Sequence, residues 1–259
     1  MKKAYLLSFI CFTFLISCSQ PDAETEDTVD NQFYELRIYD AAPGRIDDLH
    51  SRFRDHTLRL FEKYGMTNIG YWVPVQNTDS QIYYVLAYPS REARDASWEA
   101  FNNDPEWIKA KEASEANGPI VTKGQSIFLK ATDYSPEIKP ITSENPRTFE
   151  FRIYKASTGN LDRLHARFRN HTVDLFSKHG MKHFAYWSPV DDDKGADDTL
   201  IYFIYHDNED ARDTSFDGFR SDQEWIKVAK ASEEAAGRVS LTANVKSILM
   251  MPTDYSPTQ

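Results

Sequence analysis

Between Phe33 and Tyr39 the chain alternates, with Phe33, Glu35, Arg37 and Tyr39 on one side and Tyr34, Leu36 and Ile38 on the other. A period of two is that of a β-strand with one greasy face. From Pro43 the period lengthens: Ile46, Leu49, Phe53, Leu60 and Tyr64 share one arc at about 100° per residue, and Gly65 is a natural stop. Strands are expected at about 68–75 and at 81–88, where Ile82, Tyr84, Leu86 and Tyr88 alternate with Tyr83, Val85 and Ala87. Ser90 caps a helix to about Phe101, and Asp104-Pro105 restarts it with Asp at the N-cap and Pro at the first helical position. A last strand over 124–129 completes the order β-α-β-β-α-β, which is ferredoxin-like.

The same pattern then returns. Residues 35–75 lie on 150–190 at a constant offset of 115, with 23 of 41 positions identical. After an insertion near Asp191–Asp198 the offset is 118, and at the end it is 121, where Thr132-Asp133-Tyr134-Ser135-Pro136 recurs as Thr253 to Pro257. The chain therefore divides into a first repeat at 33–136, a linker at 137–148 carrying Pro140 and Pro146, and a second repeat at 149–259. A four-stranded sheet with helices on a single face leaves its other face bare. Two copies cover those faces by packing sheet to sheet, so an α+β fold closing into one barrel-like body is expected.

Composition and charge sharpen this picture at the N-terminus. Lys2 and Lys3 precede an apolar run, Ala4 to Ile16, about the length of a signal-peptide core and shorter than the ~20 residues of a spanning helix. Its end, Leu15-Ile16-Ser17-Cys18, resembles the bacterial lipobox, so residues 1–17 are expected to be removed and Cys18 lipidated. Residues 18–32 are acidic and lack aromatics, and read as a flexible tether. The expected location is the bacterial cell envelope, lipid-anchored on the periplasmic or outer-membrane surface. Cys11 and Cys18 are the only cysteines, so such processing leaves no free thiol for a disulfide, a metal or a nucleophile. A formal charge of −10 with no basic patch argues against nucleic acid as a partner.

ELRIY in the first strand, FRxHTxxLFxKxGM in the helix, then YWxPV and DPEW resemble the NIPSNAP family, over roughly 33–134 and 149–255. The resemblance implies two ferredoxin-like domains forming an intramolecular dimeric α/β-barrel, an internal pseudo-dimer that leaves further homo-oligomerisation open. Relatives sharing that barrel include cofactor-free monooxygenases, haem-degrading enzymes and small-molecule isomerases. None of their catalytic motifs maps residue by residue onto this chain.

Candidate chemistry centres on the helical His56 and its copy His171. By helical angle His56 falls about 50° from the centre of the apolar arc, with Thr57 (copy Thr172) inside it, so both are expected to approach the sheet. Tyr71 and Trp72, with Tyr186 and Trp187 in the second copy, would then wall a helix–sheet pocket; the plainer reading is a core histidine bonded to tyrosine or backbone. Glu35, Arg37, Glu150 and Arg152 are expected to face the space between the copies as a polar, internally paired barrel lumen. His50 and His56 lie about 120° apart on the helix, a poor chelating pair, and no HExxH pattern occurs, so no metal is expected. Nor is there a glycine-rich phosphate loop, so no cofactor is expected.

Three functions fit. The first is an anchored lipoprotein that binds a small molecule in those pockets. The second is a cofactor-independent oxygenase or isomerase using the same histidines, and the third is an interaction or scaffold module. Whether the chain is an enzyme is left open by the sequence.

Overall fold

The computed structural model describes Met1 and residues 31–259; the expected signal segment, Cys18 and most of the acidic tether lie outside the described residues. The first repeat runs β1 (Phe33–Ala41), α1 (Ile46–Arg52), a π-helical turn (Phe53–Thr57), α2 (Leu58–Lys63), β2 (Thr67–Pro74), β3 (Gln81–Tyr88), α3 (Arg91–Asn102), α4 (Pro105–Ser114) and β4 (Val121–Ala131). The second has the same order: β5 (Thr148–Ala156), α5 (Leu161–Arg167), a π-turn (Phe168–Thr172), α6 (Val173–Lys178), β6 (Lys182–Pro189), β7 (Thr199–His206), α7 (Glu209–Ser221), α8 (Gln223–Ala235) and β8 (Thr242–Pro252). The local rules hold where caps are expected. Ser90 Oγ accepts from the Ala93 amide at 3.2 Å, and Asp104 accepts from the Glu106 and Trp107 amides. Gly65 takes φ +77°, the left-handed turn that stops the helix.

The eight strands form one closed antiparallel barrel in the order β1-β3-β2-β8-β5-β7-β6-β4. The repeats meet along two short seams. At one, Trp72 faces Pro252 and Pro74 faces Met250; at the other, Leu129 faces Pro189 and Ala131 faces Trp187. Closure removes every free sheet edge.

The barrel interior is apolar, which corrects the expectation of a polar lumen. It is filled by Tyr34, Leu36, Ile38, Trp72 and Val85 from the first repeat, interleaved with Phe149, Phe151, Phe184, Trp187 and Phe203 from the second. Glu35, Arg37, Glu150 and Arg152 point the other way, into the layer between sheet and helices. The physical reason is dielectric: a closed interior admits no water, whereas the helix layer supplies arginines, tyrosines and a tryptophan that satisfy a buried carboxylate.

The two TDYSP segments hold the repeats together by crossing over. Tyr255, at the chain's end, packs on Phe53 and Tyr71 of the first repeat and bonds His50 Nδ1 at 2.9 Å. Asp254 grips Arg54 through two bonds of 2.7 Å. Reciprocally, Tyr134 bonds His165 Nδ1 at 2.7 Å, and Asp133 takes Arg169 at 2.5 and 2.6 Å. His50, His165, Arg54 and Arg169 are thus accounted for as receivers of these arms.

Candidate functional site

The set His56, Thr57, Tyr71 and Trp72 is dispersed by the structure. His56 is half-buried and His171 is exposed. Thr57 is buried, but its hydroxyl donates to the Arg52 carbonyl at 3.0 Å, as Thr172 does to that of Arg167 at 3.2 Å. Tyr71 stacks on Tyr84 in the helix–sheet core and donates to Asn68 Oδ1 at 2.5 Å. Tyr186 stacks likewise on Tyr202 and bonds His183 Nδ1 at 2.7 Å. Trp72 and Trp187 belong to the barrel interior. Tyr71 and Trp72 part because neighbours on one strand point to opposite faces of the sheet, while His56 and Thr57 fall in a π-turn that holds Thr57 in the core and leaves His56 at its edge.

The fold does build a cavity of about 600 Å³ between the sheet and the helices of the first repeat, lined by Arg37, Tyr39, Tyr84, Arg94, Trp98, Arg52, Trp107 and Lys111 among others. That volume lies in the range of small-molecule sites. Behind it sits Glu35, fully buried. Its carboxylate accepts from Arg94 Nε at 2.9 Å and Nη2 at 2.8 Å, Arg37 Nη1 at 2.5 Å, Ser126 Oγ at 2.6 Å and Tyr88 OH at 3.1 Å. Burial alone would raise this carboxyl; the bonds from Arg94 and Ser126 and the charges of Arg37 and Arg94 outweigh it and hold the group at about 2.

Arg37 is aimed by its neighbours. Its Nε donates to Tyr84 OH at 2.9 Å and its Nη2 to Tyr39 OH at 3.1 Å, with the guanidinium over the Trp98 ring at 4.3 Å. Arg52 adds a third guanidinium, paired with Glu115 at 2.8 Å and lying over Trp107 at 5.3 Å. Burial pushes the Tyr84 hydroxyl well above the ordinary tyrosine range, so it stays protonated. Four cationic side chains therefore line a cavity with one lining carboxylate, Glu115, in a strongly acidic chain. Among the described residues no three His, Cys, Asp or Glu side chains converge as a metal set.

The second repeat keeps the outline and loses several partners. Glu150 holds Arg212 at 2.9 and 3.2 Å and Ser247 at 2.5 Å, and is paired with Arg152. Phe216 stands where Trp98 does, and His206 where Tyr88 does. Among the described residues, Arg152 Nε and both ring nitrogens of His206 are buried without a hydrogen-bond partner.

Tyr84 lines the cavity as a pocket-wall tyrosine of the kind expected between helix and sheet, whereas Arg52 and Arg94 are site residues that sequence reasoning misses. A usable signal is present: Ala93-Arg94-Asp95 recurs as Ala211-Arg212-Asp213 on helices whose exposed positions otherwise diverge.

An antiparallel eight-stranded barrel jacketed by helices and built from two like halves defines the class, a mixed α/β barrel similar to dimeric α/β-barrel, monooxygenase-like proteins. The chain belongs to the NIPSNAP family, whose model matches residues 34–136 and again 149–257. Among solved structures it is similar to a candidate monooxygenase from Fusobacterium nucleatum, at 10% identity and TM-score 0.56, covering 85% of this chain and 92% of that one. A candidate monooxygenase from Lactobacillus acidophilus is 13% identical with TM-score 0.52 over 86% of this chain and 94% of that one. An anthrone oxidase-like protein is 11% identical with TM-score 0.56 over 89% of this chain and 95% of that one. At such identities the likeness is one of fold alone. No curated protein matches the chain.

Proposed function

We propose that this chain is an envelope-anchored NIPSNAP lipoprotein, two ferredoxin-like units in tandem, that binds a small anionic molecule with a flat or aromatic body in the helix–sheet cavity of its first repeat. The observation that carries the reading is the cavity's charge: Arg37, Arg52, Arg94 and Lys111 line it with Glu115, and one carboxylate behind it, Glu35, is shared by Arg37 and Arg94, with Trp98 and Trp107 as walls. Guanidinium groups held by tyrosines and by Glu35 are pre-oriented donors for a carboxylate, and the indole faces suit a planar body.

Binding fits the cavity better than proton-transfer catalysis. No histidine lines it, its carboxylate is ion-paired, and Tyr84 is held protonated. General acid–base work calls for a group titrating near the working pH. Anchoring rests on the Leu15-Ile16-Ser17-Cys18 pattern.

Calorimetric titration of the full chain with 4-hydroxybenzoate tests the site. One-to-one binding is expected, weakened about tenfold by Lys111→Glu, which reverses a charge at the mouth; heat of binding unchanged by that substitution would refute it. For the anchor, Cys18→Ala is expected to move the protein from the membrane to the soluble fraction, and retention at the membrane would count against lipidation.

A further inference from the structure

The second repeat carries an outer groove whose chemistry the first does not reproduce. It runs between α5 with its π-turn and α8, has a volume of about 580 Å³, and is walled by Ala166, Val228, Ala231 and Ala235. Arg163, Arg167 and Lys227 line it against one carboxylate, Glu224, which is already engaged by Lys178 at 3.2 Å. Among the described residues none of those three cations forms an ion pair: Arg163 bonds Asn160 Oδ1 at 3.1 Å, and Arg167 bonds Ser232 Oγ at 3.4 Å.

Arg167 is the telling case. It is 8% exposed, lies over the Trp225 ring at 5.3 Å, and its Nε has no acceptor among the described residues. The first-repeat equivalent, Arg52, is equally buried but is neutralised by Glu115 at 2.8 Å. Glu233 stands at the matching position in the second repeat and attracts Arg167 only from beyond ion-pair distance. Burial accordingly pushes the Arg167 guanidinium below its ordinary range, although it remains charged at any working pH. A buried, hydrogen-bond-poor cation is costly in a folded protein unless something supplies the missing charge.

Divergence between the repeats points the same way. Arg163 and Asn170 line this groove where the first repeat has Asp48 and Asp55, although 23 of 41 positions in the surrounding stretch are identical. A cation and an amide stand where the other repeat has two acids, beside an arginine with no ion-pair partner among the described residues. In a chain of formal charge −10, that is a local reversal of sign.

We propose that the groove between α5 and α8 is a second binding site, for an amphipathic carboxylate whose head compensates Arg167 and whose apolar part lies along the alanine and valine wall. One uncompensated buried cation calls for one negative charge, and guanidinium–carboxylate geometry is complementary. The apolar wall adds affinity for a hydrocarbon body that a bare inorganic anion lacks.

The full chain titrated with octanoate, 1-octanol and inorganic phosphate separates these contributions. Octanoate is expected to bind at least about tenfold more tightly than either comparator, since one lacks the charge and the other the apolar part. The double variant Arg163→Asp/Asn170→Asp, which writes the first-repeat residues into the groove's rim, is expected to weaken octanoate about tenfold. Arg167→Met is expected to abolish octanoate binding while melting no lower than the parent chain. Octanol or phosphate binding as tightly as octanoate overturns the proposal, and so does an undiminished affinity in the double variant, which keeps the test decisive even if Arg167→Met does not fold. Lys111→Glu acts on the other cavity and reports on the first-repeat reading separately.

Discussion

Glu35 concentrates more interactions than any other side chain in the first repeat, and its removal is correspondingly predictable. Glu35→Gln leaves the half-buried Arg37 without its counter-charge and Arg94 with Asp95 alone, a change expected to cost about 3–5 kcal/mol by denaturant unfolding. Because folding lowers this carboxyl from 4.5 to about 2, the folded state resists its protonation. The stabilisation is complete above pH 4.5 and is lost as pH falls toward 2, and the Gln variant is expected to lack that acid limb. His206, the second repeat's replacement for Tyr88, acts at milder pH. It is 1% exposed with its Nε2 3.9 Å from Glu150, and burial, with Arg212 adding to it against the pull of Glu150, depresses it from 6.5 to about 4. The folded state thus holds fewer protons there than the unfolded chain, and stability falls as pH drops from 6.5 toward 4. His206→Tyr, which restores the first-repeat residue, is expected to remove about 1–2 kcal/mol of that loss at pH 5 and to change little at pH 8, as read by unfolding curves at the two pH values.

At the scale of elements, strands, helices and caps are legible because each rests on neighbours in sequence: the alternation over 33–39 gives β1, and Ser90 and Asp104 start α3 and α4 where expected. Two things are not. Alternation divides a strand into two faces without saying which is covered by helices, and in β1 both are largely buried, so nothing local places Glu35 and Arg37 on the helix side. The π-turn carries no mark in composition; Phe53-Arg-Asp-His-Thr57 reads as ordinary helix, and His56 stays half-buried at the edge of the apolar arc while Thr57 is buried in the core, as that arc expects. There the Thr57 hydroxyl adds a bond to the Arg52 carbonyl, where a π-turn leaves helical pairing irregular. Thr57→Val keeps shape and burial but removes this bond, so a loss of about 1 kcal/mol is expected. Hydrogen exchange of residues 53–58 should quicken by the corresponding factor of about five, and an unchanged exchange rate would show the hydroxyl to be dispensable.

For the whole molecule the question is whether two repeats make two folding units or one. The seams between them are only a few residue pairs long, which by itself would permit independent halves. The interior argues otherwise. Trp72 of the first repeat touches Phe149, Phe184 and Phe203 of the second at ring-centroid distances of 4.8–5.6 Å, and the repeats share a single apolar cluster. The arms strengthen the coupling, since each repeat's last residues complete the other's helix–sheet core through Tyr134 and Tyr255. Separating the halves would bare both interior faces and both arm sockets, and no partly open state keeps one repeat's core intact. Residues 33–259 are therefore expected to unfold in one transition, with calorimetric and van't Hoff enthalpies equal. Trp72→Ala, a cavity at the shared centre, should lower that single transition by about 3–5 kcal/mol. Its effect should be the same whether read at Trp98 and Trp107 or at Trp225, which report on opposite repeats. Two resolved transitions, with only the first repeat's signal displaced, would mean that the duplication left two domains side by side.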